Sequence, residues 1–520
     1  MKTVLTVLSG ILLPLALPND YFLHGNPWIG TFCLVPLFFA LYQTESLGKG
    51  MRLSALFGGI STFLSNYWLM FFKDYAFLTI GSVTLAYCGV YAVWGGFFWR
   101  FSRPHPYRPF YMAAVWTLFE FFKSIGYLAY PWGLIVYPFN ELLPLLQIAD
   151  LGGIWLLSFL FSLGNAFVAE LVSSNIVRPS MEDLRSGVFL GATILLFLGY
   201  GYYRMGTSIP ETSRLRVVLV QQNMDPWEMG KETENLRILM KLSRKGIQQL
   251  EGNTNLVVWS ESSLPRPLQE NHPFYQRVPP EEPFLQFLKQ WNAYFLIGNP
   301  VVRRTQDRRE VQNGVVLLDS AGTILDTYGK RHPVPMAEHI PFYEVPIVQA
   351  FFKKVIGLGG IWALGDRDTI FRITSTEGKE IRFGAPICFE DAFPYLCRRF
   401  ILAGADLLIN VTNDAWSRRM SAQVQHFVVA RFRSIEMKRI LIRATNGGVT
   451  CVIGPFGEEI ASLPMFQSEV LPLEVPIRKE STYTFYTLWG DWFPLLLFAL
   501  LLTTLLGKND VTRKKNPLGE

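Results

Sequence analysis

Long apolar stretches fill the N-terminal part of the chain and recur once near its C-terminal end. Each has about the 17 to 25 residues that a helix needs to cross a bilayer core. The pattern predicts eight membrane-spanning helices, at residues 4–22, 27–43, 53–72, 76–99, 110–128, 150–173, 187–203 and 489–507. The first resembles a signal peptide, but prolines in "LPLALPND" stand where cleavage would be needed, so we interpret it as a span.

Positive charges lie on one side of these predicted helices. Lys and Arg accumulate in short cytoplasmic loops. With the N-terminus inside, the predicted cytoplasmic segments contain Lys2, Lys49, Arg52, Arg100, Arg103, Arg108, Arg178, Arg185, Lys508, Arg513, Lys514 and Lys515. The short outer loops contain only Lys73. We therefore expect both termini in the cytoplasm and the long segment before the last span on the extracytoplasmic side.

That long segment has a different pattern, in which short β-branched runs alternate with amphipathic stretches. The runs predict strands at "LRVVLVQQN", "TNLVVWSES", "YFLIGNPVV", "NGVVLLDSAGTILDTYGK", "KEIRFGAPICFED", "ADLLINVTND", "RILIRATNGGVTCVIGPFG" and "SEVLPLEVPI". Helices are predicted at "ETENLRILMKLSRKGIQQL" and "QHFVVARFRSIEMKR". This alternation is typical of a layered α/β domain. We expect a seven-helix domain at 1–204, an α/β domain at 205–488, an eighth helix at 489–507 and a basic cytoplasmic tail at 508–520.

Composition supports a membrane protein. Half of the 520 residues are hydrophobic and only 17% are charged, which is too apolar for an ordinary soluble chain of several domains. The net charge of +6 could indicate nucleic acid, but the basic residues border apolar segments, so we predict no nucleic-acid partner. The five cysteines show no CxxC or Cys/His spacing, so neither a disulfide framework nor a metal site is predicted.

Three chemically active side chains stand where predicted strands end. Glu261 follows "NLVVWS", Lys330 ends "ILDTYGK" and Cys388 ends "GAPIC". Side chains at strand exits project from a rigid edge into a cleft. Each also has an ordinary interpretation: a solvated loop acid, an exposed lysine and a buried thiol. A cysteine nucleophile needs a base, so a Cys–His pair with His332 or His426 is an alternative.

The three segments together resemble a known family. "VVWSESSLP", "YGKRHPVPMAEHIPF" and "APICFEDAFP", in this order, resemble the Glu-Lys-Cys sites of the nitrilase (carbon–nitrogen hydrolase) superfamily, and "NVTNDAWS" also fits. Together with the predicted spans and "FEFFKSIGYLAYPWG", nearly the whole chain resembles the membrane-embedded apolipoprotein N-acyltransferase family of that superfamily. The resemblance implies an extracytoplasmic α-β-β-α sandwich in which Glu261 is the general base, Lys330 the oxyanion-side cation and Cys388 the nucleophile.

Further roles rest on the resemblance alone. It implies that Glu338 and Glu390 support the site and that Phe389 supplies an aromatic surface where the family often has Tyr. The family often has Arg in place of Lys123. For Lys123 we expect an ion pair with Glu120, one helical turn away.

The resemblance also implies the reaction and its partners. A fatty acyl chain would pass from a phospholipid, through a Cys388 thioester, to the N-terminal amine of a diacylglyceryl-modified apolipoprotein. We expect no cofactor, a monomer, and a multi-pass protein of the bacterial inner membrane with a periplasmic catalytic domain. The alternative is a membrane-anchored amidase or nitrilase that uses the same three residues with water as acceptor.

Two segments are weaker candidates for substrate binding. The apolar stretch from Ile340 to Leu364 is either a core helix or a mobile arm that guides acyl chains, with Phe351 and Phe352 as contacts and "GLGG" as a hinge. Trp227, in "QQNMDPWEMG", either stacks near the cleft, as a family aromatic does, or only packs.

Overall fold

The computed structural model describes residues 1–72, 76–174, 181–226, 228, 230–251, 253–304, 308–340, 342–356, 361–479 and 482–513. Several residues named above lie outside these ranges: Lys73, Arg178, Trp227, Lys514, Lys515 and the "GLGG" segment at 357–360. The chain divides into two compact units. The helical unit comprises Met1–Ser208 with Tyr483–Glu520, and the α/β unit comprises Ile209–Thr482.

The described part of the helical unit consists of α-helices joined by short turns. With helices numbered along the whole chain, they are α1 Lys2–Ala16, α2 Pro27–Gly30, α3 Val35–Tyr42, α4 Leu47–Ser65, α5 Ala76–Phe101, α6 Arg108–Lys123, α7 Leu143–Leu146, α8 Ala149–Ser174, α9 Met181–Gly206, α16 Phe485–Trp489 and α17 Trp492–Arg513. Single 3-10 turns occur at Tyr67–Phe71 and Tyr137–Phe139.

Three helices in the described ranges are long and apolar enough to cross a membrane: Ala76–Phe101, Ala149–Ser174 and Leu184–Gly206. On the first and third, large apolar side chains face outward, and Leu85, Val188 and Leu195 are each at least 70% exposed. Soluble proteins avoid contiguous apolar surface of this kind. The helical unit is therefore suited to contact with lipid.

The eight predicted spans coincide with helices only in part. Lys2–Ala16 and Pro27–Tyr42 are apolar but shorter than predicted, and the helix of the last span begins at Trp492, three residues after the predicted start. Span 27–43 is divided by a turn between α2 and α3, and Pro36 in the first turn of α3 suits a new helix start. Span 110–128 ends early, at Lys123, shortly before Gly126 with φ of 85°. The count of eight remains a prediction.

The α/β unit contains two six-stranded sheets and a two-stranded ribbon within the described residues. The strands are β1 Glu211–Gln221, β2 Leu256–Trp259, β3 Tyr294–Gly298, β4 Val301–Arg304, β5 Arg309–Gln312, β6 Gly314–Leu318, β7 Ile324–Gly329, β8 Ile370–Thr374, β9 Glu380–Gly384, β10 Leu407–Thr412, β11 Leu441–Thr445, β12 Cys451–Ile453, β13 Glu459–Ser462 and β14 Glu469–Arg478. Its helices are α10 Glu232–Gln249, α11 Leu268–Tyr275, α12 Phe284–Leu288, α13 Pro346–Phe351, α14 Pro394–Leu402 and α15 Met420–Met437.

The strand order places the carboxyl ends of several strands at one edge. The first sheet has the order β14-β1-β2-β3-β6-β7 and the second β13-β12-β11-β10-β9-β8. In the first, β1, β2 and β3 are parallel, and two antiparallel steps through β6 return β7 to their direction. In the second, β9, β10 and β11 are parallel. Ligand sites of α/β proteins form at such carboxyl edges.

Helices cover the outer face of each sheet, and the inner faces meet. On one side, α10, α11 and α12 bury apolar side chains such as Leu239 and Phe284 against Val218 and Trp259 of the first sheet. On the other, α14 packs on β9 and β10, and α15 packs on β11. Contacts of β11 with β1 and β2 join the two sheets. The resulting α-β-β-α sandwich confirms the fold class expected for this part of the chain.

Most predicted strands and both predicted amphipathic helices are present. Each predicted strand segment contains at least part of a strand, and the helices form α10 and α15. The sequence interpretation missed the short strands β5, β8 and β13. It also missed the helices α11, α12 and α14, which follow Pro-containing loops and have only five to nine residues. So short an element leaves too few turns for a periodic pattern.

Candidate active site

Two of the predicted site residues meet at the carboxyl edge of the first sheet. Glu261 lies two residues beyond β2, and Lys330 immediately follows β7. The Nζ atom of Lys330 donates to Oε1 of Glu261 over 3.2 Å, and both residues are buried. Gly298, at the end of β3, makes room for this turn, because a Cβ atom there would lie 2.6 Å from the Cα atom of Glu261.

A second carboxylate completes the pairing of Lys330. Its ammonium also donates to Oε1 of Glu338 over 2.9 Å. Burial alone would lower the pKa of Lys330, but the charges of Glu261 and Glu338 raise it well above its ordinary value. Lys330 therefore remains a cation at any physiological pH, and its positive charge is fixed between the two acids.

Asn313 joins the same two acids and was missed by the sequence interpretation. Its Nδ2 atom donates to Oε1 of Glu261 and to Oε1 of Glu338, both over 2.8 Å. The other oxygen of Glu261 accepts the backbone N–H of Asn413 over 2.9 Å. Three donors from three separate segments thus fix the Glu261 carboxylate.

Cys388 supplies the thiol from the second sheet. It lies four residues beyond β9, at the start of a 3-10 turn over Cys388–Ala392, and its side chain is half-buried. Its φ is 50°, in the left-handed region that non-glycine residues rarely adopt. Burial and the negative charge of Glu261 raise the pKa of the Cys388 thiol well above its ordinary value, although Lys330 acts in the opposite direction. The resting thiol is protonated and needs a base.

Cys388 lies close enough to the predicted base and cation to be influenced by their charges. The charges of Glu261, Lys330 and Glu338 all act on the Cys388 thiol. A carboxylate, an ammonium and a thiol arranged in this way can perform acyl transfer: the carboxylate accepts the thiol proton, and the ammonium stabilises developing negative charge.

Comparison with known proteins agrees with this geometry. Residues 216–481 match the family described as carbon–nitrogen hydrolase, and residues 9–167 match the apolipoprotein N-acyltransferase N-terminal domain. Apolipoprotein N-acyltransferase 2 of Treponema denticola is 36% identical over 95% of this chain and 95% of its own. The chain belongs to the apolipoprotein N-acyltransferase family.

Other relatives give the same family. Apolipoprotein N-acyltransferase 2 of Treponema pallidum is 35% identical over 95% of this chain and 92% of its own, and the Borreliella burgdorferi apolipoprotein N-acyltransferase is 32% identical over 97% and 96%. A solved carbon–nitrogen hydrolase from Helicobacter pylori G27 is 16% identical, with 51% of this chain and 89% of that protein covered and a TM-score of 0.36. Family membership makes this chain a nitrilase-superfamily membrane enzyme.

Glu390 supports the turn that carries Cys388, the predicted nucleophile. Its Oε1 atom accepts the backbone N–H groups of Arg331, over 2.7 Å, and His332, over 3.0 Å. Its Oε2 atom accepts the N–H of Ile387 over 2.8 Å, and the Tyr328 hydroxyl donates to the carboxylate over 3.0 Å. Burial raises its pKa to about 7, although the three N–H donors act to lower it. Glu390 thereby connects the Lys330 and Cys388 segments.

Among the described residues, the aromatic side chains predicted to support the site or bind substrate lie outside this hydrogen-bond network. Phe389 is buried against Phe393, with ring centroids 4.9 Å apart. Phe351 is 54% exposed and packs on Phe352. No side chain of α13 is buried, so the core-helix interpretation of this segment is wrong. In its described residues the apolar run forms this short helix and one π-helical turn over Phe352–Ile356.

Each histidine considered for a Cys–His pair bonds to another side chain. The Nδ1 atom of His332 lies 2.8 Å from the Tyr395 hydroxyl, and burial lowers the pKa of His332 to about 4. The two ring nitrogens of His426 lie 2.9 Å from Asp391 and Asp414. Both ring nitrogens of His426 are engaged by carboxylates, and Glu261 remains the candidate base.

The expected Glu120–Lys123 ion pair is wrong. Lys123 donates instead to the backbone carbonyl of Trp132 over 2.7 Å. Glu120 accepts from the Trp116 indole, the Ile135 N–H and the Ser158 hydroxyl. Neighbouring helix and loop groups are closer to each charge than the i, i+3 partner.

Among the described residues, no group of three or more His, Cys, Asp or Glu side chains is placed to hold a metal ion.

Proposed function

We propose that this chain transfers a fatty acyl chain from a phospholipid, through a thioester on Cys388, to the N-terminal amine of a diacylglyceryl-modified apolipoprotein. The observation that carries the proposal is a half-buried, protonated thiol within the field of Glu261 and Lys330, in a chain whose other unit is made of apolar helices. Family membership makes lipoprotein N-acylation the activity to be explained.

In the first step, Glu261 accepts the proton of the Cys388 thiol as the sulfur attacks the ester carbonyl carbon of the phospholipid. Lys330 and backbone N–H groups after Cys388 stabilise the oxyanion, and loss of one such donor typically costs about 3 kcal/mol. The tetrahedral intermediate then expels the glycerol oxygen, which takes the proton back from Glu261. Lysophospholipid leaves and the acyl thioester remains.

In the second step, the α-amine of the acceptor cysteine attacks the thioester carbonyl. Glu261 takes a proton from the attacking nitrogen, and the Cys388 thiolate leaves and recovers that proton. The product is an amide. Because an ester and a thioester are both higher in free energy than an amide, the reaction needs no nucleotide and no cofactor.

Glu338 has a supporting role in this mechanism. It shares the Lys330 ammonium with Glu261 and also accepts the backbone N–H of Val334 over 2.7 Å. We assign it to holding Lys330 in place, because its carboxylate is fixed by donors on both oxygens. Phe389 and Glu390 shape the turn after the nucleophile.

The proposed location follows from the distribution of charge along the sequence. We propose that the chain crosses the bacterial inner membrane eight times, with both termini in the cytoplasm and the catalytic domain at 205–488 in the periplasm. This topology places nearly all Lys and Arg residues of the short loops on the cytoplasmic side. Both substrates are lipids, so a site held at the membrane meets them at high local concentration. We propose that the enzyme works as a monomer, with Phe351 and Phe352 entering the lipid interface.

The test is to incubate purified enzyme with phospholipid labelled in its acyl chains and to look for a hydroxylamine-labile adduct. We expect the adduct in the native enzyme and its absence in Cys388→Ala, Cys388→Ser and Glu261→Gln. Cys451→Ala is the matched control, because this buried cysteine lies within β12.

Two outcomes would contradict the proposal. Acylation of a lipopeptide by Cys388→Ala would remove the thioester from the mechanism. Release of free fatty acid at a rate independent of added lipopeptide amine would instead identify a hydrolase that uses water as acceptor.

A further inference from the structure

A second group of buried charges lies behind the nucleophile and takes no part in the mechanism above. His426, on α15, lies between two carboxylates: its Nε2 atom is 2.9 Å from Oδ1 of Asp391, and its Nδ1 atom is 2.9 Å from Oδ1 of Asp414. Arg443, on β11, pairs with Asp391 and lies 3.6 Å from Oδ2 of Asp414. All four side chains are buried.

The two carboxylates belong to the two segments that matter for the chemistry. Asp391 lies three residues after Cys388, on the same 3-10 turn. Asp414 directly follows Asn413, whose backbone N–H donates to Oε2 of Glu261 over 2.9 Å. The His426 ring therefore connects the turn of the nucleophile with the loop that fixes the general base.

The charge state of this bridge is set by its surroundings. Burial alone would lower the pKa of His426 and Arg443 acts in the same direction, but Asp414 and Asp391 raise it to about 9. Burial likewise would raise the pKa of Asp414, yet His426 and Arg443 hold it below its ordinary value. At neutral pH the ring is an imidazolium that donates from both nitrogens, and two cations balance two carboxylates.

The proposed nucleophile and the residue that follows the proposed base have backbones that require such support. Cys388 has φ of 50°, and Ser262, next to Glu261, has φ of 58°. Non-glycine residues persist in this region only when their surroundings over-determine the conformation. Glu390 holds the Cys388 turn to the Lys330 segment, and Asp391 holds it to α15 and β11.

We propose that His426 is a positioning residue for acyl transfer, which holds the Cys388 turn and the Asn413 loop in register by bridging Asp391 and Asp414. It does not serve as a base for the thiol, because both of its ring nitrogens are bonded to carboxylates. This role rests on the proposed function of Cys388 and Glu261. It predicts that breaking the bridge slows chemistry more than it weakens substrate binding.

The experiment compares His426→Gln and His426→Lys with native enzyme in single-turnover acylation by labelled phospholipid. Glutamine can donate to one carboxylate but cannot bridge two as a cation, so we expect the acylation rate to fall by about tenfold to 100-fold at unchanged phospholipid KM, since small misplacements of reacting groups cost this much. Lysine keeps the charge and several donors, so we expect it to recover a large part of the rate.

Asp406→Asn is the matched control. Asp406 immediately precedes β10, whereas Asp414 lies two residues beyond the end of that strand, and Asp406 also pairs with two cations, Arg382 and Lys479. We expect this variant to lose stability but to keep the native acylation rate. A double variant of His426→Gln with Asp391→Asn should be no slower than the slower single variant, because both cut the same bridge.

The rate of Cys388 alkylation by an uncharged reagent, which requires no lipid, separates this proposal from the proposed function. Failure of native enzyme to form a lipid thioester would overturn the proposed function, while a slower alkylation in His426→Gln would still support the bridge. A folded His426→Gln enzyme with native acylation and alkylation rates would overturn the inference, as would a loss no larger than that of Asp406→Asn. Should His426→Gln fail to fold, Asp414→Asn cuts the same bridge at one end and is judged by the same outcomes.

Discussion

Replacement of Asn313 by alanine tests whether the orientation of Glu261 limits the rate. The Asn313 amide is buried and donates to Glu261 and Glu338 over 2.8 Å each. A hydrogen bond to a charged group contributes about 1.5 to 3 kcal/mol. At 1.36 kcal/mol per factor of ten, loss of the bond to Glu261 corresponds to a decrease in acylation rate of about tenfold to 150-fold.

Asn313→Asp should be more damaging than Asn313→Ala. It places a third carboxyl group against Glu261 and Glu338, and Lys330 is the cation that these acids share. Like charges so close cannot all ionise, so one acid retains a proton, and any proton on Glu261 removes the base. The order of acylation rates should be native, then alanine, then aspartate.

Single-turnover transfer of a labelled acyl chain to Cys388 measures these rates directly. Asn299→Ala is the control, because this buried amide bonds only to backbone groups in its described contacts, at Leu264, Arg266 and Leu268. It should lower the unfolding temperature without a comparable loss of acylation. A folded Asn313→Ala enzyme that acylates at the native rate would refute the view that three donors orient the base.

Two further predictions concern the nucleophile turn and the apolar arm. Burial raises the pKa of Glu390 from 4.5 to about 7. Between these pH values the folded chain keeps a proton on Glu390 that the unfolded chain has released, so the contribution of Glu390 to stability falls as pH rises through that interval. Thermal unfolding at pH 5 and 7.5 should show a larger decrease in native enzyme than in Glu390→Gln, where only other groups such as His426 titrate; an equal decrease in both would contradict the assignment. Changing Phe351 and Phe352 to serine should slow turnover of phospholipid held in vesicles but not turnover of a soluble short-chain ester. Equal turnover of vesicle phospholipid by variant and native enzyme would show that these two side chains do not assist lipid binding.

The positions of Glu261 and Lys330 at the sheet edge could be predicted because both residues follow strands with clear patterns. β2 and the end of β7 are buried, and a polar residue directly after such a run marks the sheet edge. Asn313 was within reach of the same reasoning. The "SAGT" turn lies midway between Asn313 and Lys330 in the sequence, and in the β6–β7 hairpin Gly314 pairs with Gly329. A register count from the turn would have placed Asn313 beside Lys330.

The bridge of His426 could not be predicted in this way. Its members are spread over β11, α15 and two loops, and 52 residues separate Asp391 from Arg443. Nearly every residue of α15 is buried, so hydrophobic periodicity distinguishes no inner face on which to place His426. The core-helix interpretation of the 340–364 segment failed for the opposite reason: an apolar run predicts burial in a water-soluble domain, whereas α13 has no buried side chain.

Charge balance explains why one ammonium can serve the whole proposed reaction. In the resting site Lys330 faces two carboxylates and a neutral thiol, so the group has one excess negative charge. Transfer of the thiol proton to Glu261 moves that excess from the carboxylate to the sulfur without creating a new charge. Since a new buried charge would carry a large desolvation cost, a transfer that only relocates it beside the same cation avoids that cost. Lys330 therefore contributes first by stabilising the base and then by stabilising the thiolate and the oxyanion.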